Sequence, residues 1–255
     1  MKLERLVKQF RILGAVVAVA MAFASQAMAQ DDQIPTTNGN LTIHPVHHAG
    51  LVLTWNGKRI VADPTSFPPG KDGSADFKAA APPDLILITH EHGDHFDVPT
   101  LTNLVGPNTI IVAPQSVFGM MPAPLQAKTK VMKNGDKQTY AGVPIEAVVE
   151  YNTTPDRLMY HPKGRDNGYV LTMGGKRVYL AGDTEETPEL KTLPNIDVAF
   201  VPFNLPYTMT EEAAATWVKD FKPKIVYPYH TGMSDVNKFK TLVGNASDVR
   251  LRKWY

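Results

Sequence analysis

The segment Thr89-His90-Glu91-His92-Gly93-Asp94-His95 holds four metal-capable side chains, His90, His92, Asp94 and His95, within six positions. Neutral imidazole nitrogen and carboxylate oxygen are borderline-to-hard donors that suit zinc, manganese or iron. Gly93 allows the loop carrying them to turn sharply. The preceding run, Asp84-Leu85-Ile86-Leu87-Ile88, reads as a buried strand, so the donors leave one strand end together. Three further positions carry ligand types after strand-like runs or in glycine-bearing loops. His161 lies in Tyr160-His161-Pro162-Lys163-Gly164-Arg165, Asp183 in Ala181-Gly182-Asp183-Thr184, and His230 follows Lys224-Ile225-Val226-Tyr227-Pro228-Tyr229. The chain has no cysteine. No disulfide holds it and no thiolate binds a metal, so every ligand must be His, Asp or Glu.

In this order the motifs resemble those of the metallo-β-lactamase superfamily, and the resemblance extends over about residues 40 to 255. It implies an α+β fold, a four-layered αββα sandwich, and a hydrolase with two divalent metal ions. Zn2+ is the expected metal, with Mn2+ or Fe2+ as alternatives. It also implies that His90, His92 and His161 form one site, that Asp94, His95 and His230 form the second, and that Asp183 bridges them. Two cations about 3.5–4 Å apart repel strongly, and a shared carboxylate with a bridging hydroxide offsets that charge. The hydroxide would be the nucleophile. Asp94 would orient it as the catalytic carboxylate and carry a proton to the leaving group.

Departures from subfamily patterns narrow the expected activity. The true β-lactamases lack the bridging carboxylate, which this chain has at Asp183. The flavin-linked di-iron oxidoreductases carry Glu where this chain has His92. The segment from Asn167-Gly168-Tyr169-Val170 to Gly182-Asp183-Thr184 looks most like the branch containing L-ascorbate-6-phosphate lactonase and N-acylphosphatidylethanolamine-hydrolysing phospholipase D. The expected reaction is hydrolysis of an ester-type bond in a small molecule, phosphodiester or lactone. The alternatives are a β-lactamase-like amidase and a non-catalytic metal-binding protein on the same scaffold.

Other residues take supporting roles in this reading. Asp63, between a strand and Pro64, is expected to support the metal loop. Tyr160, Lys163, Arg165, Asn167, Asn204 and Tyr207 lie close in sequence to the metal motifs and are candidates for substrate binding. Lys163 and Arg165 suit phosphate or carboxylate. His47 and His48 are neighbours, so in a strand they face opposite ways, and one of His44, His47 and His48 could line the pocket or support the metal shell; the reading as ordinary strand or turn histidines stands beside it.

The elements that must position these groups follow from pattern. Residues 1–29 open with Lys2, Arg5, Lys8 and Arg11, continue with an apolar stretch over 12–23 and close on Ala27-Met28-Ala29. That is the three-part form of a secretory signal peptide, which points to a periplasmic or secreted protein. Residues 30–39 read as a flexible lead-in and 40–255 as one hydrolase domain. Without residues 1–29 the chain has 22 Lys and Arg against 24 Asp and Glu. Such balance gives no reason to expect nucleic acid as a partner, and no stable membrane insertion is expected after signal cleavage. The oligomeric state is not set by the sequence.

Asn56-Gly57 and Gly174-Gly175 mark hairpins. Residues 64–83, with five prolines, form a long irregular loop leading to the metal motif. Helices are expected over 98–105, capped by Asp97, over 210–221, capped by Thr208 or Thr210, and over 234–243. Residues 144–149 read as a strand and 249–254 as a final one. Strands, then strand-helix alternation, occur twice along the chain, which suits two sheets covered by helices on their outer faces.

Overall fold

A computed structural model describes residues 31–254. The expected signal peptide lies outside them. Among the described residues, fourteen strands form two seven-stranded sheets. The first follows chain order: β1 (Asp32–Thr36), β2 (Gly39–His47), β3 (Gly50–Trp55), β4 (Lys58–Ala62), β5 (Leu85–Leu87), β6 (Ile110–Ala113) and β7 (Thr129–Val131). The second holds β8 (Lys137–Tyr140), β9 (Val143–Glu150), β10 (Asp166–Met173), β11 (Lys176–Leu180), β12 (Val198–Pro202), β13 (Ile225–Tyr229) and β14 (Asp248–Val249).

Each sheet starts as an antiparallel meander and ends with parallel strands joined by crossovers. The hairpin turns are as expected: Asn56 and Gly57 both take positive φ, as do Gly174 and Gly175. Alternation puts Leu41, Ile43, Leu51 and Leu53 of the first sheet against Ile145, Tyr169, Leu171 and Phe200 of the second in one buried layer. The outer face of the first sheet packs Ile86 and Ile111 against Leu101 and Leu104 of the helix Val98–Leu104. The outer face of the second packs Val170, Tyr179 and Val201 against Trp217 and Phe221 of the helix Glu211–Phe221 and Phe239 of the helix Val236–Val243. Helix, sheet, sheet and helix give the four-layered sandwich.

The caps explain where the helices start. Asp97 accepts from Thr100 N at 2.8 Å and Thr210 from Ala213 N at 3.2 Å, each such cap contributing about 1 kcal/mol. The last helix begins at Val236 rather than at 234, because Asp235 caps it through Asn237 N and Lys238 N. Two further expectations change. Residues 32–36, read as part of a flexible lead-in, form β1 and pair in full register with β2, burying Ile34. The acidic start and Pro35 hid an edge strand, a place in a sheet where proline is readily tolerated. The final strand is only Asp248–Val249, and the chain then continues as irregular backbone to Trp254, which is buried between the sheets.

One consequence of the topology positions the site. Strands β2, β4, β5 and β6 run the same way, so His48, Asp63, the 90–95 loop and Pro114 all leave one edge of the first sheet. Strands β9, β11, β12 and β13 likewise share a direction in the second sheet. Glu150, Asp183, Asn204 and His230 lie at or just beyond their C-terminal ends.

Candidate metal centre

The two edges meet around a group of imidazoles and carboxylates. His90, His92 and His161 bring a ligand atom each to within 4.8 Å of one another, as do His90, His95 and Asp183, and so do His48, Asp94, His95 and His230. In the first triad the ring centroids are 4.7, 4.9 and 5.0 Å apart. Asp183 sits between the groups. Its Oδ2 is 3.7 Å from His161 Nε2 and 3.2 Å from His230 Nε2, and its Oδ1 is 3.5 Å from His95 Nε2. Asp94 Oδ2 lies 3.5 Å from His230 Nε2.

The outer nitrogens of two of the rings, those of His90 and His95, face buried carboxylates. His90 Nδ1 lies 3.0 Å from Glu150 Oε1, whose oxygen also accepts from Asp183 N at 2.8 Å. His95 Nδ1 lies 2.9 Å from Asp63 Oδ2. Asp63 in turn accepts from Thr89 N at 2.8 Å and Thr89 Oγ1 at 2.9 Å, pinning the start of the motif loop. This confirms the position expected for Asp63. Gly182 is required here: its φ is +67°, and a Cβ would come within 2.3 Å of Glu150 Oε2. His48, Asp63 and His230 also have positive φ, an uncommon state for non-glycine residues that gathers at functional sites.

The inward atoms fit a cation. His90 Nε2, His95 Nε2, His161 Nε2, His230 Nε2 and Asp183 Oδ1 are buried without a hydrogen-bond partner among the described residues. Several such atoms converging on one point would be costly in a native interior unless something accepts their lone pairs. Imidazole nitrogens whose other ring nitrogen faces a carboxylate are the usual ligands of zinc-type metals. Burial keeps His90 well below the ordinary histidine range and takes His161 to about 2 and His230 to about 3, so these rings are neutral. His95 differs. Burial works against its charge, but Asp183 and Asp63 outweigh that and push it up to about 10. Burial raises Asp183 to about 7, against the pull of His95. Asp94 goes the other way: burial opposes its charge, yet the close approach of the His230 ring and the hydrogen bond with His48 hold it below the usual carboxylate range.

A cleft of ≈ 300 Å³ opens over the centre, lined by His92, Asp94, Tyr160, His161, Asp183 and Tyr207. Of the six residues expected to touch substrate, only Tyr160 and Tyr207 line it, with ring centroids 5.2 Å apart in an edge-on arrangement. The other four do not. Lys163 pairs with Glu189 at 2.7 Å and lies over the Tyr151 ring. Arg165 pairs with Glu91 and Asp166, each at 2.9 Å. Asn167 is buried, donating to Met132 O and accepting from Asn134. Asn204 shapes its own turn, where its N–H donates to Thr208 Oγ1. Proximity in sequence suggests all four, but the side chains of Lys163, Arg165 and Asn167 are held by partners that the fold brings in.

Among the three early histidines only His48 reaches the centre, with Nε2 2.9 Å from Asp94 Oδ2 and its ring 3.9 Å from that of His230. His44 pairs with Asp31, and His47 packs edge-on against Phe77. Two residues of the site were not anticipated, Glu150 and Asn152. Asn152 Nδ2 donates to Tyr207 O at 2.7 Å and lies 3.3 Å from His161 Nδ1. Glu150 closes β9, and its contacts depend on strand pairing rather than on any local pattern.

A sequence profile described as a Beta-lactamase superfamily domain matches residues 42–230. A protein described as a UPF0173 metal-dependent hydrolase, from Polynucleobacter asymbioticus, is 30% identical over 89% of this chain and 88% of its own length. One of the same description from Thermococcus onnurineus is 31% identical over 81% of this chain and 93% of its own. Among solved structures, a candidate metal-dependent hydrolase from Parabacteroides distasonis shares 42% identity with a TM-score of 0.79, covering 89% of this chain and 100% of that one. Igni18, a metallo hydrolase from Ignicoccus hospitalis, shares the fold at 24% identity and a TM-score of 0.68, over 83% of this chain and 94% of its own.

Proposed function

The chain belongs to the β-lactamase superfamily of metal-dependent hydrolases, and from that premise we propose that it is a two-zinc hydrolase of an ester-type bond, phosphodiester or lactone, exported to the periplasm or beyond. The observation that carries the reading is the place of Asp183, whose two oxygens face His161 and His230 on one side and His95 on the other. A carboxylate shared between two ligand groups is what a pair of neighbouring cations needs and a single one does not. His90, His92 and His161 would hold one cation, Asp94, His95 and His230 the other, with Asp183 common to both. When bound, such a pair would polarise the substrate oxygen and acidify a water at neutral pH.

The chain's own groups do the rest. Asp94 is the more open of the two carboxylates lining the cleft, its side chain 33% exposed against 4% for Asp183. Its low pKa keeps it ionised at neutral pH, an acceptor that can hold and orient the attacking water by a hydrogen bond. Tyr160 and Tyr207 form the wall that orients the substrate. The branch resemblance in residues 167–184 supports phosphodiester or lactone, and Asp183 argues against a β-lactamase-like amidase.

Metal analysis by mass spectrometry on zinc-reconstituted protein should give two equivalents per chain. The loaded protein should hydrolyse bis(p-nitrophenyl) phosphate or members of a lactone panel. Hydrolysis of nitrocefin in place of both would overturn the ester reading. Residues 1–29 support export with a mature start at Gln30; exported protein retaining Met1 would show otherwise.

A further inference from the structure

The floor of the cleft is polar, but its surroundings are not. Seven large apolar side chains are exposed among the described residues, and six of them, Phe67, Leu158, Met159, Leu205, Tyr207 and Met233, stand on segments that carry or contact candidate ligands and cleft residues. Singly exposed apolar residues need no explanation, but their gathering at one site does. Leu158 and Met159 directly precede Tyr160 and His161, and Met159 is 77% exposed. Leu205 and Tyr207 share the loop after β12, and Met233 follows His230 by three positions.

These loops are fastened to one another. Asn152 Nδ2 donates to Arg157 O at 3.0 Å and to Tyr207 O at 2.7 Å, holding the turn before His161 against the turn that carries Leu205. A Cβ on Gly232 would lie 2.9 Å from Asn204 Oδ1, so the His230–Met233 loop runs along the same turn. Phe67 stacks on His48 with centroids 4.7 Å apart. Nearby cations that could receive a charged group are already taken, Lys163 by Glu189 and Arg165 by Glu91 and Asp166.

We propose that this rim binds the apolar part of the substrate, an alkyl or aryl tail running from the tyrosine wall across Leu158, Met159 and Leu205. Tyr160 and Tyr207 line the cleft, and Tyr207 also belongs to the exposed apolar set, so whatever fills the cleft meets the rim. The substrate class is therefore an amphipathic ester, with a polar hydrolysable head and an apolar tail. The placement of the head rests on the two-metal reading; the tail site does not.

A calorimetric titration with alkylphosphonates from methyl to octyl, on the metal-loaded protein, separates head from tail. Affinity should rise about two- to fourfold per methylene while the tail is being covered. A Leu158→Ser/Met159→Ser/Leu205→Ser variant, with wild-type metal content and circular dichroism, should flatten that rise. A flat series in the wild type, an equally steep one in the variant, or no binding at any length overturns the proposal. A steep series that is unchanged in metal-free protein keeps the tail site and sinks the metal-held head. A flat series together with cosedimentation on phosphatidylcholine vesicles, or with concentration-dependent dimerisation, assigns the rim to a membrane or a second copy and overturns the proposal as well.

Discussion

His48 Nε2 lies 2.9 Å from Asp94 Oδ2, so a residue at the end of β2 grips a carboxylate of the loop that follows β5. The ring also packs against His230 at 3.9 Å and Phe67 at 4.7 Å. Groups that orient a metal ligand typically contribute 10–100-fold in metal affinity or activity. We expect His48→Ala to weaken one of the two metal equivalents by about that factor and leave the other in place. Competition with a chelator of known affinity reads both. Two unchanged equivalents would mean that the grip on Asp94 holds nothing.

Asp183 and Asp94 should fail differently. Asp183→Ala removes the oxygens that face both ligand groups and leaves His95 without its nearest carboxylate on the inner side. It should bind fewer than two equivalents and turn over poorly. Asp94→Asn keeps the shape and one oxygen but loses the negative charge that makes Asp94 a strong acceptor. Its metal content should fall only in part, while kcat drops about 10²–10⁴-fold. Two equivalents with near-normal kcat in Asp183→Ala would sink the two-metal mechanism.

The part of the centre legible in the sequence was the part that is local. His90, His92, Asp94 and His95 announce themselves because four donors share one loop, and Asp183, His161 and His230 followed from their order along a known family's motifs. What was not legible depends on long-range pairing. Glu150 touches His90 and Asp183 because β9 and β11 run the same way and end at one edge, a register that no local pattern around residue 150 encodes. Lys163 and Arg165 misled because a basic loop beside a ligand looks like an anion site until Glu189 and Glu91 are brought to it. In the fold, β1 was hidden because only Ile34 of its five residues is buried, too weak an alternation to read.

Gly182 and Glu150 offer a test of the buried support. Gly182→Ala would place a methyl group 2.3 Å from Glu150 Oε2 at a backbone φ of +67°. It should destabilise the protein by more than about 1 kcal/mol in urea unfolding. Glu150→Ala should also be destabilising, since His90 Nδ1 and Asp183 N lose a buried partner. Combined, the two changes should cost less than their sum by about 0.5 kcal/mol or more, because the clash disappears with the carboxylate. Strict additivity would show that the close approach does not limit residue 182.

Asp32 ties the first strand to the end of the chain and gives stability a dependence on pH. Its Oδ2 accepts from Arg252 Nη2 at 2.6 Å and from the Tyr227 hydroxyl, with Arg250 Nη1 3.5 Å away, joining β1 of one sheet to β13 of the other. Burial works to raise its pKa, but the hydrogen bonds from Tyr227 and Arg252 and the charges of Arg252 and Arg250 bring it below 3.8. A carboxyl that is more acidic folded than unfolded contributes its full stabilisation above the unfolded pKa and loses it as pH falls through the folded one. Asp32→Asn should therefore be less stable than the wild type at pH 6, with the difference narrowing as pH drops below about 4. Urea unfolding of both proteins at pH 6, 4 and 3 measures the gap. A difference that stays constant, or widens toward low pH, would mean that the ion pairs around Asp32 do not hold the N-terminal strand in place.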